Sequence, residues 1–226
     1  MKPKDLISPF KTEPKAVLLD RIEKVFYIPA RTERIQIGFN FDRLFLREAP
    51  IHLEFCSGNG EWICKKAELH PELNWVALEI RFDRVQKIWS KMKNRGISNL
   101  FILCGEALDT ATHYIPDGSV DQIAINFPDP WPKKKHAKHR LIQAPFLDQM
   151  ARILKPDGKV DTLTDDSIYF DQITSTFVEH ESFTSLIPDP YYHSDIEDYG
   201  DSYFMMLWKE KKRSFYFSKF QKRVNR

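Results

Sequence analysis

Cysteine is scarce in this chain of 226 residues: Cys56, Cys64 and Cys104 are all there are. None belongs to a C-x-x-C pair, so a zinc site or redox dithiol has no basis, and reduced thiols in a cytoplasmic protein are expected. His136 and His139 lack partners at ligand spacing, so no metal is expected either. No stretch approaches the roughly 18 consecutive apolar residues of a membrane span. The opening MKPKDLISPFKTEPK has charges and prolines where a signal peptide needs an unbroken apolar run, so a soluble protein is expected. The phosphate loop G-x-x-x-x-G-K-[ST] is missing, which counts against ATP. Internal repeats and low-complexity tracts are missing as well.

What is present suffices for a folded core: 42% hydrophobic residues, with 17 Phe, 8 Tyr and 5 Trp. The net charge of +2 conceals segregation, with eleven acids and no Lys or Arg between Asp161 and Asp201, then eight Lys or Arg and one Glu from Lys209 to Arg226. Such blocks suit a polyanionic partner at one end, although ordinary solvated faces give the same pattern.

Residues 1–48 read as an N-terminal extension without clear period, closed by Ala49-Pro50, and residues 49–226 as one domain. From there a rhythm sets in. IHLEF (51–55), WVALEI (75–80), NLFILC (99–104), VDQIAINF (120–127) and VDTLT (160–164) read as short strands. Residues 61–69, the stretch carrying Phe82, Val85, Ile88, Trp89 and Met92, residues 144–154, and the stretch carrying Ile168, Ile173 and Phe177 read as helices between and after them. SFTSLI and RSFYFSKF are candidates for two more strands. This alternation predicts an α/β fold, a mostly parallel sheet with helices on both faces. Such sheets bind ligands beyond the carboxyl ends of their strands.

Those ends carry the chemistry. LEFCSGNGEW follows the first strand, where Gly58 and Gly60 permit close backbone approach. Glu79 ends the second, nineteen residues after Gly60, where a carboxylate can accept from both hydroxyls of a ribose. Glu54 sits between apolar Leu53 and Phe55 and requires a cationic ligand group or a loop N–H. Glu106 follows the third strand, within reach of an adenine amino group. Three carboxylates around one cleft favour a positively charged nucleoside, and S-adenosylmethionine carries both a sulfonium and an ammonium. The fourth strand delivers NFPDPWPKKKHAKHRL, in which prolines brace Asp129 and Trp131 ahead of seven basic or titratable residues in eight, Lys133 to Arg140. Trp131 stacks on a base or packs beneath its loop; the sequence allows both.

FPDPWPKK, the LEFCSGNG loop, ALEI and the Thr164-Asp165 pair together resemble the bacterial tRNA (guanine-N7)-methyltransferase family over residues 50–220. The resemblance implies a Rossmann-like class I methyltransferase sheet, S-adenosylmethionine as donor, tRNA as partner, and guanine 46 of the variable loop as acceptor. By motif match it makes Asp129 catalytic as well as donor-binding, and places Glu54, Gly58, Gly60, Glu79 and Glu106 at the donor. Lys133, Asp165 and the window Ser202, Tyr203, Phe204 and Met205 fall at the RNA, with Lys133 to Arg140 on phosphates. Arg81, Arg84, Lys87 and Lys91 fit the same partner.

Two departures stand out: Cys56 replaces the first glycine of E-x-G-x-G-x-G, and Met205 replaces a glutamate that neighbouring Asp201 would have to supply. Rival readings are a methyltransferase for exocyclic amines, an RNA-binding module with a decayed donor site, and a NAD-dependent oxidoreductase, for which no hydride-transfer acid is seen. Monomer and homodimer both stay open.

Overall fold

The computed structural model describes residues 1–7, 20–28, 38–194, 196, 199–200 and 202–224. The strands are β1 (Asp20–Ile22), β2 (Val25–Tyr27), β3 (Ile51–Phe55), β4 (Asn74–Glu79), β5 (Leu100–Cys104), β6 (Val120–Asn126), β7 (Leu154–Thr164), β8 (Phe183–Ser185) and β9 (Tyr216–Lys222). The helices are α1 (Phe41–Phe45), α2 (Glu61–Leu69), α3 (Phe82–Asn94), α4 (Ala107–Tyr114), α5 (Ala144–Ile153), α6 (Ser167–Glu179) and α7 (Tyr203–Glu210). Among the described residues these nine strands form one sheet in the order β1-β2-β5-β4-β3-β6-β7-β9-β8. The run from β2 to β7 is parallel, and β1, β9 and β8 pair antiparallel.

The expected doubly covered sheet is what forms. Phe55, Leu78, Leu103 and Ile125 face one side and pack on α4, α5 and α6 through Ala111, Phe146, Met150 and Ile173. Ala77, Ile102 and Ala124 face the other and pack on α2 and α3 through Ile63, Ala67, Ile88 and Trp89. Alternation along each strand thus feeds two cores, which is why the strands read as continuous apolar runs. The aromatic C-terminal stretch becomes β9, inserted between β7 and β8, with Phe220 fully buried.

The stretch 1–48 also contributes to this sheet and core. β2 pairs with β5 from Val25↔Ile102 to Tyr27↔Cys104, and Phe39 and Phe41 are buried. Three-residue strands leave no period to detect, hence their absence from the sequence reading. β7 begins earlier than expected, at Leu154. The KPDGK turn is absorbed by a register shift between the Val120 and Gln122 pairings.

The chain steps outward from β3 through β4 to β5, then returns to place β6 on the other flank of β3. The reversal lies between β3 and β6, so the crevice of an open α/β sheet falls at the tips of those two strands.

Candidate active site at the strand tips

A cavity of about 630 Å3 opens at these tips, lined among others by Cys56, Glu79, Glu106, Asp129, Trp131 and Phe204. A larger one, about 950 Å3, lies over the sheet face between α2 and β9 and is lined by Trp62, Gln122, Asp161 and Lys219. The larger cavity includes neither the glycine loop nor the tip carboxylates, so the smaller is the one with chemistry to offer.

The glycine loop is latched to the end of β4. Glu79 accepts the Gly58 N–H on Oε2 at 2.9 Å and the Arg81 N–H on Oε1 at 2.8 Å, with the Arg84 guanidinium 3.7 Å away. Burial raises the Glu79 carboxyl above its usual range, while these donors and Arg84 pull it back. Gly60 starts α2 at φ 78°, and a Cβ there would meet Ile88 Cγ1 at 2.7 Å, so glycine serves both conformation and packing. Cys56, where the resembled family has glycine, also adopts positive φ, 59°. Lys91 and Lys87, expected toward RNA, instead bind Asn59 of this loop, at its carbonyl (2.7 Å) and its side chain (3.2 Å). Their stems run along α3 directly beneath the loop, which the basic pattern alone did not show.

Glu54 finds its partner across the switch point. Asn126 Nδ2 donates to Glu54 Oε1 at 2.7 Å, and Asn126 Oδ1 in turn accepts from the Tyr199 hydroxyl at 2.8 Å. Glu54 is 2% exposed, and its Oε2 has no hydrogen-bond partner among the described residues. Burial pushes its carboxyl up to about 7 against the Asn126 hydrogen bond and the nearby Ser57 hydroxyl, which donates to the Glu54 main-chain carbonyl at 3.0 Å, and Glu79 and Glu61 push in the same direction as burial. A buried acceptor four residues before Gly58 and without a donor of its own fits a cationic group.

Beyond β6 the loop is held in an uncommon conformation. Phe127 and Trp131 have φ of 50° and 43°, each just before a proline. Asp129 between them is exposed in the cavity, and Lys133 is exposed beyond. Trp131 packs on its own loop, its ring centroid 5.2 Å from that of His139 and 5.9 Å from that of His136. Arg140, expected on phosphate, is instead buried: Nε donates to the Pro130 carbonyl at 2.7 Å and Nη1 to Gln172 at 2.6 Å, over the Tyr169 ring. A guanidinium at the end of a basic run looks like the rest of the run, and only the tertiary fold shows it bracing Pro130.

Glu106 is exposed at the cavity and caps α4, accepting from the Asp109 N–H at 2.6 Å. Asp165 pairs with Arg213. In the C-terminal window, Ser202 caps α7 by accepting from the Met205 N–H at 3.1 Å, Tyr203 is exposed, and Phe204 lines the cavity. Met205 corrects an expectation: it is 1% exposed and packs with Leu163, Ile196 and Phe215, leaving no surface for substrate. A thioether suits that apolar place, where a glutamate would be buried without a partner. Asp201 lies outside the described residues.

Sequence reasoning missed Asn126, Tyr199 and the inward role of Arg84. Asn126 had a signal, a polar residue closing an apolar strand one step before the proline loop. Tyr199, seventy-three residues away, had none.

The described residues contain no group of three His, Cys, Asp or Glu able to hold a metal, and no helix long and apolar enough to cross a membrane. Solved structures with this fold include an rRNA methylase from Streptococcus thermophilus (TM-score 0.53, 12% identity, 78% of this chain and 88% of that one). The 16S rRNA methyltransferase KamB is similar too (TM-score 0.56, 15% identity, 85% and 97%). A family model described as "Putative methyltransferase" matches residues 48–216. Curated relatives named tRNA (guanine-N(7)-)-methyltransferase, from Chlamydia muridarum and Chlamydia felis, are 40% and 41% identical over 226 aligned residues, 99% of this chain and 99% of theirs. At that identity over nearly the whole of both chains, and with the family model covering most of the sequence, the chain belongs to the tRNA (guanine-N(7)-)-methyltransferase family.

Proposed function

We propose that this protein transfers a methyl group from S-adenosylmethionine to N7 of guanine 46 in the tRNA variable loop, acting in the cytoplasm. The observation that carries the donor side is the buried, unpartnered Oε2 of Glu54, four residues before Gly58. When bound, S-adenosylmethionine supplies an electrophilic methyl on sulfur. Glu54 would hold its ammonium. Glu79 keeps lone pairs for ribose hydroxyls after accepting two backbone N–H groups. Glu106 would accept from the adenine amino group, and Gly58, where a Cβ would have nothing nearer than 4.0 Å, would leave room for the nucleoside.

Guanine N7 carries a lone pair and no proton, so the site has no base to provide. Its work is alignment and electrostatics. Asp129 accepts from guanine N1–H and the exocyclic amine, selecting guanine over adenine, and steadies the positive charge the purine acquires. Lys133 contacts phosphate, and Asp165 with Ser202, Tyr203 and Phe204 borders the RNA. Neither departure from the family pattern argues for a decayed site: Cys56 adopts the glycine conformation, and Met205 fills a core.

The test is to incubate the protein with labelled S-adenosylmethionine and bulk tRNA lacking the modification, then map the product nucleotide. N7-methylguanosine at position 46 is expected. Methylated adenine, or label elsewhere in the tRNA, refutes the assignment. Asp129→Ala is expected to lose at least about 100-fold in turnover with an unchanged melting temperature, since removing one preorganised electrostatic group costs that order. Full activity removes Asp129 from its role.

A further inference from the structure

We propose that Tyr199 is a positioning residue for the donor's amino group, acting through Asn126 to aim the Glu54 carboxylate, and that it ties this aim to the RNA-facing window three residues further on. The proposal rests on the donor reading above and adds a residue outside every motif used there.

A side-chain amide can present either end. An N–H must point at Glu54 for the pair to form, and the opposite end then has to accept. A tyrosine hydroxyl at 2.8 Å on Asn126 Oδ1 supplies that donor and fixes the orientation. With one oxygen committed to Asn126, Glu54 presents the other, Oε2, without a partner. Tyr199 is itself held on three sides. Its carbonyl accepts from Trp62 Nε1 at 2.9 Å, and its ring lies 5.2 Å from Trp62 and 4.9 Å from Phe217.

The same segment reaches the second donor carboxylate. Ser202 caps α7, and the Phe204 ring lies under the Arg84 guanidinium at 5.9 Å, with Arg84 3.7 Å from Glu79. Tyr199 therefore reaches Glu54 through Asn126, and Phe204 reaches Glu79 through Arg84. RNA that binds against Phe204 favours the donor-ready arrangement, and donor favours RNA binding by the same factor.

The charged and titratable groups around Glu54 are Glu79 at the end of β4, Glu61 at the start of α2 with its partner Lys91, Cys64 on α2, Cys56 in the loop, and Tyr199 itself. The two carboxylates disfavour ionised Glu54, and only the Asn126 amide and the nearby Ser57 hydroxyl favour it. Loss of the Tyr199 hydroxyl loosens Asn126 and raises the Glu54 carboxyl further, so the effect on donor binding is larger near neutral pH than above it.

The test is Tyr199→Phe, which keeps the ring contacts and the carbonyl that Trp62 uses. Isothermal titration of wild type and variant with S-adenosylmethionine at pH 7 is expected to show about five-fold weaker binding, the order set by one buried hydrogen bond, with the ratio shrinking toward pH 9. Methylthioadenosine, which lacks the amino-acid tail, is expected to bind both proteins equally. Saturating tRNA is expected to tighten S-adenosylmethionine binding more in wild type than in the variant. Equal S-adenosylmethionine affinity at every pH, or an equal loss with methylthioadenosine, overturns the positioning role. A wild type that binds no S-adenosylmethionine at all overturns the donor reading, and this proposal with it.

Discussion

Replacing Glu54 by glutamine separates what the buried carboxylate does for binding from what it does to the fold. Its carboxyl is carried from 4.5 to about 7, chiefly by burial. A folded chain that holds the proton more tightly than the unfolded one draws full stability from that group below about pH 4.5 and loses it as pH rises through about 7. Well above pH 7 the ionised carboxylate costs about 3 kcal/mol relative to its neutral form. Glutamine keeps the shape and the acceptor for Asn126 but brings an N–H where Oε2 had no partner, so roughly half of that amount is recovered. For a domain of this size the melting temperature at pH 8.5 rises by about 3 to 6 °C. The difference closes toward pH 4.5, where both side chains are neutral. Thermal unfolding of the two proteins between pH 5 and 8.5 measures this directly, and titration with S-adenosylmethionine measures the other half, a large loss of affinity. A glutamine variant that is less stable at pH 8.5, or that binds donor as wild type does, refutes the reading of Glu54 as a desolvated carboxylate kept for a cation.

The two glycines of the loop should fail differently. Gly60→Ala places Cβ 2.7 Å from Ile88 Cγ1 at φ 78° and is expected to lose about 2 to 4 kcal/mol of stability in chemical denaturation. Gly58→Ala has open space around Cβ and only φ 56° to oppose it, so about 1 kcal/mol of stability goes, yet donor affinity falls at least about ten-fold because the new methyl stands where the nucleoside approaches; equal losses in both variants would contradict this division. Lys133→Ala is expected to weaken tRNA binding and lower the slope of log affinity against log salt by about 1, measured by filter binding over a salt series. An unchanged slope would take Lys133 off the phosphate.

The residues legible in the sequence were those whose role is set locally. β3 and α2 fall on the expected residues because an apolar run ending in a glycine loop and a helix beginning at Glu61 are local patterns. Glu54 and Glu79 stand out in the sequence because a carboxylate at the tip of an apolar strand is anomalous wherever the strand packs. Arg140 and Lys91 were misjudged for the opposite reason. A basic residue in a basic stretch carries no mark of whether it meets solvent, RNA or the protein's own carbonyls. Three-residue strands such as β1 and β2 are specified by the edge they complete, not by their own pattern. Tyr199 reaches Asn126 by a contact that exists only once the segment after β8 has folded back over α2.

The loop after β6 shows what such contacts are for. Phe127 and Trp131 both hold positive φ immediately before proline, a backbone state that costs on the order of 1–3 kcal/mol at each residue. The surroundings offset it. The Phe127 N–H donates to the Leu163 carbonyl at 2.7 Å, the Phe127 ring lies 5.9 Å from Phe215, and Arg140 fixes the Pro130 carbonyl. Asp129 thus sits between two clamped residues before any substrate arrives. A reaction whose nucleophile is already a free lone pair gains nothing from a proton acceptor and everything from a donor, a purine and a carboxylate held in line. Other described residues with positive φ, Cys56 among them, are scattered along the chain, but Phe127 and Trp131 flank a single carboxylate, Asp129, so the cost of their backbone is met where an aligned acceptor is needed.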